Sequence, residues 1–299
     1  MSFKKITVAG IGTLGSQIAF QIAFRGFPVI AYDIDKDVVE KKARQRIEEK
    51  RSMYKRDIKA TDAQFDAGLK HLSYTLDLKK AVSDADLLIE AIPEVEKTKR
   101  DFYRHVSSLA PKKTVFASNS STIIPSRLAP ASDRPEKFVN FHFANQIWYR
   151  NTAEIMGGPK TKQSIKDQMA KFAREIGMIP IILQKEIPGY ILNALLVPWF
   201  NGAMSVWAQE GADAKTIDKT WMVVLKSPMG PFGMLDIVGL RTVYNIQETM
   251  AKGSNDPTKK AIVGKLKKMI DSGKIGEESG EGFYRYPHPA YEDPNFLKS

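Results

Sequence analysis

The 299-residue chain contains no cysteine, which excludes disulfide bonds, thiolate metal sites and cysteine nucleophiles, and no metal site is expected. It has no continuous apolar run of the roughly 18 residues that a membrane span needs, so we expect no membrane partner. The first residues lead directly into an apolar strand that begins at Ile6, which leaves no room for a signal peptide. On these grounds we expect a cytoplasmic protein.

Basic residues outnumber acidic ones, 45 to 34, and give a formal net charge of +11. This excess suits a partner that carries phosphate groups, either a nucleic acid or an anionic small molecule. The sequence has no nucleic-acid-binding motif with interleaved aromatic residues, so we favour the small molecule and expect no nucleic-acid partner. The composition is otherwise that of an ordinary folded protein, and the length suffices for one large or two medium domains.

The clearest pattern in the chain follows the first strand. That strand leads into Gly10-Ile11-Gly12-Thr13-Leu14-Gly15, an amphipathic helix follows, and a second apolar strand ends at Asp33. Gly10 permits a tight turn, Gly12 lets a pyrophosphate approach the backbone, and Gly15 lets the helix pack closely against the strand. The helix N-terminus offers unpaired N–H groups to phosphates, and Asp33 is placed to accept hydrogen bonds from ribose hydroxyl groups.

This arrangement predicts a dinucleotide-binding site that contains Gly10, Gly12, Thr13, Leu14, Gly15 and Asp33. The carboxylate at position 33 would repel a 2′-phosphate, so the predicted cofactor is NAD rather than NADP. The alternative is that the glycines form a tight turn in an α/β domain that binds nothing. The strand before the loop, the helix after it and the acid at the end favour dinucleotide binding.

Strands and helices alternate through the first part of the chain and give way to helices after Pro188-Gly189. We therefore predict an α/β fold: a Rossmann-type doubly wound sheet over residues 1–186, followed by an all-α C-terminal domain over residues 187–299. In the first domain a long basic helix is predicted over 36–56. In the second, helices are predicted over 190–209, 214–225, 234–250 and 258–271.

Several segments, in this order, resemble the L-3-hydroxyacyl-CoA dehydrogenase family, which includes the 3-hydroxybutyryl-CoA dehydrogenases. The segments are Ser118-Asn119-Ser120-Ser121-Thr122, Phe141-His142-Phe143-Ala144-Asn145-Gln146, Pro188-Gly189-Tyr190-Ile191-Leu192-Asn193, Ser227-Pro228-Met229-Gly230-Pro231-Phe232 and Gly280-Glu281-Gly282-Phe283-Tyr284. Glu154 follows His142 by twelve residues, as in the family. The resemblance covers nearly the whole chain, and several ordered segments are more specific than any single one.

The resemblance implies that His142 is the catalytic acid/base and that Glu154 orients it. Histidine suits this chemistry because an unperturbed imidazole exchanges a proton near neutral pH, and a carboxylate on its second nitrogen fixes the tautomer. Two further residues are expected to position the substrate: Ser121 and Asn193. The residues expected beside the nicotinamide half of NAD are Glu94, Lys99 and Asn119, and Ser121 and Asn145 are also expected to bind the cofactor. The candidates for binding CoA phosphates are Lys55 and Arg56.

Each of these residues also has an ordinary structural interpretation. His142 alternates with two phenylalanines, so it could be a core histidine, and Glu154 alone would suggest a surface acid. Ser121 could be a turn or cap residue, and Asn193 could simply start a helix. Three histidines match no motif and are expected to face solvent: His71, His105 and His288.

The leading hypothesis is an NAD-dependent dehydrogenase that interconverts a short-chain L-3-hydroxyacyl-CoA and its 3-ketoacyl-CoA. Departures from the family pattern near the expected substrate pocket leave a second hypothesis open, namely the same chemistry on a free 3-hydroxy acid of the sugar-acid or carnitine type. The departures are Ala144, Gln146, the bulky segment 147–150 and Ala194, together with Glu278 near the cofactor. A third hypothesis is a non-catalytic NAD-binding protein on the same scaffold.

The helical domain is expected to form a homodimer. The family behaves in this way, and the first helix of the domain is more apolar than a single surface helix requires. The residues concerned are Leu195, Leu196, Val197, Trp199, Phe200 and Trp207.

Overall fold

The computed structural model describes residues 2–298, and the chain divides into two units, Met1–Ile191 and Leu192–Ser299. The first unit is built on one eight-stranded sheet with the strand order β3-β2-β1-β4-β5-β6-β7-β8. The strands are β1 (Ile6–Ala9), β2 (Val29–Tyr32), β3 (Leu72–Thr75), β4 (Leu87–Glu90), β5 (Val115–Ser118), β6 (Phe138–Phe143), β7 (Thr152–Gly157) and β8 (Ile179–Ile182).

Neighbouring strands are parallel, except that β6 and β7 are antiparallel. From β1 the chain runs outward to β2 and β3 and then returns to the other side of β1 as β4. The crevice at the carboxyl ends of β1 and β4 is therefore the point where the strand order reverses, and open sheets of this kind bind their ligands there. The predicted doubly wound α/β sheet is confirmed.

The helices of the first unit cover both faces of the sheet. They are α1 (Thr13–Phe24), α2 (Ala43–Glu48), α3 (Arg51–Ile58), α4 (Asp62–Lys70), α5 (Leu78–Val82), α6 (Glu96–Leu109), α7 (Pro125–Leu128) and α8 (Gln163–Glu175), with a π-helical segment Val38–Lys42 before α2. Ile18 of α1 and Phe172 of α8 belong to one apolar cluster, and Tyr103 of α6 belongs to another with Phe116 and Phe138. Strands β1, β4 and β5 are buried along their whole length, as strands covered on both faces must be.

The single basic helix predicted over 36–56 is wrong, because the segment is broken after Glu48. At Lys50 the backbone N–H donates to the carbonyl of Ile47, three residues back, where a regular α-helix would use the fourth. This tighter turn interrupts the hydrogen-bond ladder, and α3 begins at Arg51. Charge and apolar spacing continue across the break, so the sequence pattern does not reveal it.

The second unit is helical, as predicted. Its helices are α9 (Tyr190–Ala208), whose first two residues belong to the first unit, then α10 (Ala214–Leu225), α11 (Pro231–Val238), α12 (Leu240–Ala251) and α13 (Pro257–Asp271). The helix predicted over 234–250 is wrong, since α11 and α12 are separate. Gly239, between them, has a φ of 89°, a left-handed conformation that ends one helix and redirects the chain into the next.

Helix α9 corrects the expectation that no segment is long and apolar enough to cross a membrane. By length and composition alone it is sufficient, with 19 residues and a mean hydropathy of 1.3. The helix contains no charged residue. Asn193 and Asn201 interrupt the continuous apolar run, but the mean hydropathy of the helix stays high enough for a membrane span. Only 17% of this span is buried, which leaves a large apolar surface on the helix.

Two buried carboxylates organise the second unit around α11. Asp218 of α10 accepts hydrogen bonds from the N–H groups of Phe232 and Gly233, both 2.9 Å long, in the first turn of α11. Asp236 near the end of α11 accepts from the N–H groups of Phe283 and Tyr284, again at 2.9 Å. Each carboxylate thus satisfies backbone donors that would otherwise be unpaired inside the protein.

Candidate active site

The three glycines of the loop after β1 have different roles. A Cβ atom at Gly10, whose φ is 86°, would lie 2.6 Å from the Ala91 carbonyl oxygen beyond β4. A Cβ atom at Gly15 would lie 1.8 Å from the Gly10 carbonyl oxygen. At Gly12, in contrast, nothing lies within 4 Å of the added atom. Two of the glycines are therefore required by packing, and the third leaves open space where a phosphate can approach the backbone.

The N-terminus of α1 and the end of β2 complete this part of the site. Gly12 is the N-cap of α1, so the first N–H groups of the helix, from Thr13 onward, have no side-chain cap. Asp33 follows β2, and its Oδ2 accepts a hydrogen bond of 2.9 Å from Ile11 N–H in the glycine loop. An open glycine, an uncapped helix start and an acid at the ribose position together fit NAD.

His142 and Glu154 form a buried pair across the antiparallel strands β6 and β7. The register places the two residues directly opposite each other, and the distance from His142 Nδ1 to Glu154 Oε2 is 2.9 Å. Both side chains are almost inaccessible to solvent. A carboxylate can only accept at this contact, so Nδ1–H is the donor and Nε2 is free to exchange a proton.

The second ring nitrogen of His142 faces a hydroxyl group. Ser121, in the loop that follows β5, has its Oγ 3.2 Å from His142 Nε2. Ser121 is half-buried, unlike the histidine, so this nitrogen lies on the accessible side of the pair. The order carboxylate, imidazole, hydroxyl is one that general acid–base catalysis uses.

Tyr190 supports the imidazole and was not identified as a site residue from the sequence. Its ring stacks on His142 with the centroids 4.3 Å apart and the planes 12° from parallel. Its hydroxyl donates to the Ser120 carbonyl at 2.5 Å and accepts from Asn140 Nδ2 at 2.9 Å. Burial raises the pKa of this hydroxyl well above its usual range, so Tyr190 stays neutral. Its position after Pro188-Gly189, in a family-like segment, was the available signal.

The start of α9 also contacts the carboxylate of the pair. Ile191 N–H donates a hydrogen bond of 2.9 Å to Glu154 Oε1, the oxygen that His142 does not use. Both carboxylate oxygens are therefore engaged, which fixes the plane of the carboxylate and with it the plane of the imidazole.

Glu94 holds the loop that carries Ser121. Its Oε1 accepts hydrogen bonds from Ser120 Oγ at 2.6 Å, Ser121 N–H at 3.0 Å and both N–H and Oγ of Thr122 at 2.9 Å. Burial disfavours the charge on Glu94, but the hydrogen bond from Ser120 and the nearby charge of Lys99 outweigh it, so the Glu94 pKa lies below its ordinary value. Glu94 is thus a charged anchor for the loop.

Lys99, which was expected beside the cofactor, is itself buried. Its ammonium donates to Glu90 and to the Ile92 carbonyl at 2.9 Å, and lies 3.4 Å from Glu94 Oε2. Glu90 was not singled out from the sequence, because it ends a strand that is otherwise apolar. The signal available was a carboxylate at the carboxyl end of a buried strand, where function is common in open sheets.

The two asparagines expected at the cofactor tie neighbouring segments together. Asn119 Oδ1 accepts a hydrogen bond of 3.0 Å from Phe143 N–H, which joins the ends of β5 and β6. Asn145 is exposed, and its Oδ1 accepts from Gln17 Nε2 of α1 at 3.3 Å. The loop after His142 is therefore attached to the first turns of α1.

The remaining predicted residues lie elsewhere in the chain. Lys55 and Arg56 are exposed on α3 and form ion pairs, Lys55 with Asp62 at 2.7 Å and Arg56 with Asp57 at 2.6 Å. Asn193 belongs to the second unit, on α9. The three histidines without a motif are exposed, as predicted. In residues 2–298, no group of three or more His, Asp or Glu side chains is arranged to hold a metal ion.

Two of the bulky residues after the Asn145 loop pack inward, whereas Tyr149 is exposed. Ile147 is fully buried, and Trp148 is 4% exposed. The Trp148 ring lies 4.9 Å from that of Tyr54 on α3, and its Nε1–H donates to Asp57 at 2.9 Å. This segment therefore fastens the loop to α3.

Comparison with known proteins accounts for both units. Residues 5–187 match the family model described as 3-hydroxyacyl-CoA dehydrogenase, NAD binding domain, and residues 189–286 match the C-terminal domain of the same family. The chain is 31% identical to a probable 3-hydroxybutyryl-CoA dehydrogenase of Deinococcus radiodurans over 94% of this chain and all of the relative. It is 32% identical to a fatty acid oxidation complex subunit alpha of Psychrobacter, covering 95% of this chain but only 39% of that protein.

A solved structure of a diketoreductase, described as catalysing reactions of dicarbonyl compounds, superposes on this chain with a TM-score of 0.88. The two sequences are 46% identical, and the match covers 96% of this chain and all of the other. Both domain matches run in order through the two units and include the NAD-binding loop. This chain therefore belongs to the 3-hydroxyacyl-CoA dehydrogenase family of NAD-binding oxidoreductases.

Proposed function

We propose that this protein interconverts a short-chain L-3-hydroxyacyl-CoA and the corresponding 3-ketoacyl-CoA with NAD as the hydride carrier. The observation that carries the proposal is the series Glu154, His142 and Ser121, in which each member lies within hydrogen-bonding distance of the next. The series lies at the carboxyl ends of β5 and β6 in a sheet whose first loop suits NAD. Membership of the family supports the acyl-CoA substrate.

In the proposed oxidation, His142 Nε2 takes the proton of the substrate hydroxyl group. NAD held by the glycine loop and Asp33 would supply the hydride acceptor for the carbon that bears this hydroxyl group. Nδ1–H keeps its hydrogen bond to Glu154, whose negative charge stabilises the imidazolium that forms. In the reduction, Nε2 returns the proton to the substrate oxygen. Burial of the pair keeps bulk water from competing for that proton.

Neighbouring residues are assigned positioning roles in this scheme. The Ser121 hydroxyl donates to the substrate oxygen, and Asn193 is assigned to the thioester carbonyl on the basis of the family resemblance. Lys55 and Arg56 remain the proposed contacts for CoA phosphates. In that role they exchange their carboxylate partners, Asp62 and Asp57, for the substrate phosphates.

The mechanism is tested with His142→Ala in an assay of acetoacetyl-CoA reduction by NADH. We expect kcat to fall by roughly 10²- to 10⁴-fold, the usual contribution of a general acid. The dissociation constant of NADH should be unchanged, since the glycine loop is untouched. The matched control is His105→Ala, an exposed histidine that should retain full turnover. Full turnover by His142→Ala would exclude this mechanism.

A second candidate keeps the chemistry and replaces the acyl-CoA with a free 3-hydroxy acid of the sugar-acid or carnitine type, or with a small dicarbonyl compound. The diketoreductase structure, at 46% identity, favours it. So do Ala144 and Gln146, which differ from the family pattern just after His142. A panel of CoA and non-CoA substrates compared by kcat/KM decides between the two candidates. NAD binding without turnover of any panel member would instead support the non-catalytic alternative.

We also propose that the second unit forms a homodimer. The supporting observation is apolar exposure on its first two helices: Leu195 on α9 is 69% exposed, and Val224 and Leu225 at the end of α10 are 70% and 55% exposed. Exposed apolar residues grouped on neighbouring elements are typical of an interface between subunits.

A further inference from the structure

Glu90 is a fully buried carboxylate at the carboxyl end of β4. Its Oε1 accepts hydrogen bonds from the Lys99 ammonium and from Ile92 N–H, the latter at 2.9 Å. Its Oε2 accepts from Ser118 Oγ at 2.7 Å and from the Tyr103 hydroxyl at 3.2 Å. Both oxygens are therefore fixed by two donors each, a degree of constraint that is typical of groups that orient other residues.

One route from Glu90 to the active-site loop passes through Ser118. The Ser118 hydroxyl donates to Glu90 and accepts a hydrogen bond of 3.2 Å from Ser120 N–H. The Ser120 carbonyl in turn accepts from the Tyr190 hydroxyl, whose ring stacks on His142. The start of the loop is thus held between a buried carboxylate and the residue that supports the imidazole.

The other route passes through Lys99. This ammonium is 1% exposed and lies against Glu90 on one side and 3.4 Å from Glu94 on the other. Glu94 holds Ser121 N–H at 3.0 Å, and Ser121 Oγ lies 3.2 Å from His142 Nε2. Charges of alternating sign therefore connect Glu90 to the hydroxyl group that faces the catalytic nitrogen.

The charge on Glu90 determines what Lys99 does. A buried ammonium without its counter-ion is costly, so it shifts toward the nearest remaining carboxylate. Without the negative charge of Glu90, that carboxylate is Glu94. A closer Lys99–Glu94 pair draws Glu94 away from the N–H groups of Ser121 and Thr122, and the loop loses its anchor.

We propose that Glu90 is a positioning residue of the active site, which holds the Ser121 hydroxyl group against His142 through Ser118 and Lys99. The proposal rests on the proposed roles of His142 and Ser121 in the proton transfer. It assigns no contact between Glu90 and substrate or cofactor, since the carboxylate is enclosed by protein donors.

The test is a double-mutant cycle of Glu90→Gln and Ser121→Ala, with kcat and KM measured for acetoacetyl-CoA and NADH. We expect Glu90→Gln alone to lower kcat roughly 10- to 100-fold, as small displacements of catalytic groups do. In the Ser121→Ala background it should lower kcat by less than about threefold, because the hydroxyl that it positions is already absent. Ser118→Ala should show the same coupling with a smaller loss. Thr114→Val, which removes a buried hydroxyl just before β5, is the control that leaves kcat unchanged.

If Glu90 had a purely structural role, the fold losses in kcat caused by Glu90→Gln and by Ser121→Ala would multiply in the double variant. That result overturns the proposal. So does a folded Glu90→Gln enzyme with wild-type kcat. If Glu90→Gln does not fold, the cycle of Ser118→Ala with Ser121→Ala decides by the same criterion. Wild-type kcat in Ser121→Ala contradicts the Ser121 role and the Glu90 proposal together, whereas full turnover by His142→Ala refutes the proposed function itself.

Discussion

At the level of single residues, the glycine loop separates what the fold needs from what the cofactor needs. Gly10 and Gly15 approach backbone atoms so closely that no side chain fits at either position. Gly12 has a φ of −64° and open space around it, so the fold itself would accept a larger residue there. The sequence motif alone does not distinguish these roles, because all three residues are simply glycine.

Substitution by alanine should separate the two roles. Gly15→Ala places a methyl group against the Gly10 carbonyl and should lower the free energy of unfolding by about 1–3 kcal/mol, the usual cost of overpacking. Gly12→Ala should keep wild-type stability but weaken NADH binding by roughly tenfold or more. Urea unfolding and fluorescence titration with NADH measure the two quantities.

The matched control for this pair is Gly264→Ala, in the interior of α13 with nothing within 4 Å of the added atom. It should leave NADH affinity unchanged and raise stability by up to about 1 kcal/mol through helix propensity. A Gly12→Ala protein that binds NADH as tightly as the wild type would show that the open space over this residue is not the phosphate site.

At the level of secondary structure, the position of the catalytic pair depends on strand register. His142 and Glu154 are brought opposite each other by the antiparallel pairing of β6 with β7. A shift of one residue would move Glu154 to the other face of the sheet, away from the imidazole. The twelve-residue spacing is compatible with this pairing, but the pairing itself depends on packing along both strands.

Helix α11 leads to a prediction about pH and stability. Burial raises the pKa of Asp236 to about 6, although the hydrogen bonds from Phe283 and Tyr284 oppose the shift. Between pH 4 and 6 the folded protein therefore retains a proton that the unfolded chain has lost. The free energy of unfolding should fall by roughly 3 kcal/mol as pH rises through this range, and the loss should persist above it.

The measurement is urea unfolding from pH 4 to 8 for the wild type and for Asp236→Asn, which cannot ionise. Other carboxylates titrate in the same range, so the informative quantity is the difference in the free energy of unfolding between the wild type and Asp236→Asn. This difference should change from pH 4 to 6 and stay constant above pH 7. Parallel curves throughout would mean that Asp236 is not the group responsible.

At the level of the whole molecule, the apolar surface of the second unit is the main feature that a single chain does not explain. Helix α9 is long and apolar, yet only 17% of it is buried, and the end of α10 adds further exposed valine and leucine. An exposed surface of this kind is costly in water, so we expect a second copy of the chain to cover it.

Size-exclusion chromatography with light scattering tests the dimer. The wild type should have twice the 33.5 kDa mass of the chain, and the double substitution Leu195→Lys with Val224→Lys should have the monomer mass. Leu76→Lys, at an exposed leucine of the first unit, should remain a dimer. A wild-type mass of one chain at micromolar concentration would refute the proposal. Loss of solubility until a detergent is added would point to a membrane surface instead.

Local features of the fold could be predicted from the sequence because they depend on neighbouring residues. The glycine loop, the alternation of strands and helices and the change to helices after Pro188-Gly189 follow from apolar periodicity and turn residues. The breaks at Lys50 and Gly239 could not, since each lies inside a segment whose periodicity continues across it.

The sequence by itself determined the class of fold, the predicted cofactor loop and a short set of candidate residues that includes His142 and Glu154. Only the tertiary structure decided that Tyr190 stacks on the imidazole, that Glu90 and Lys99 are buried together, and that Lys55 and Arg56 are paired with acids. The physical reason is the distance along the chain over which each interaction acts. Helix periodicity and turn geometry act within a few residues, whereas burial and charge pairing depend on which distant segments the packed chain brings together.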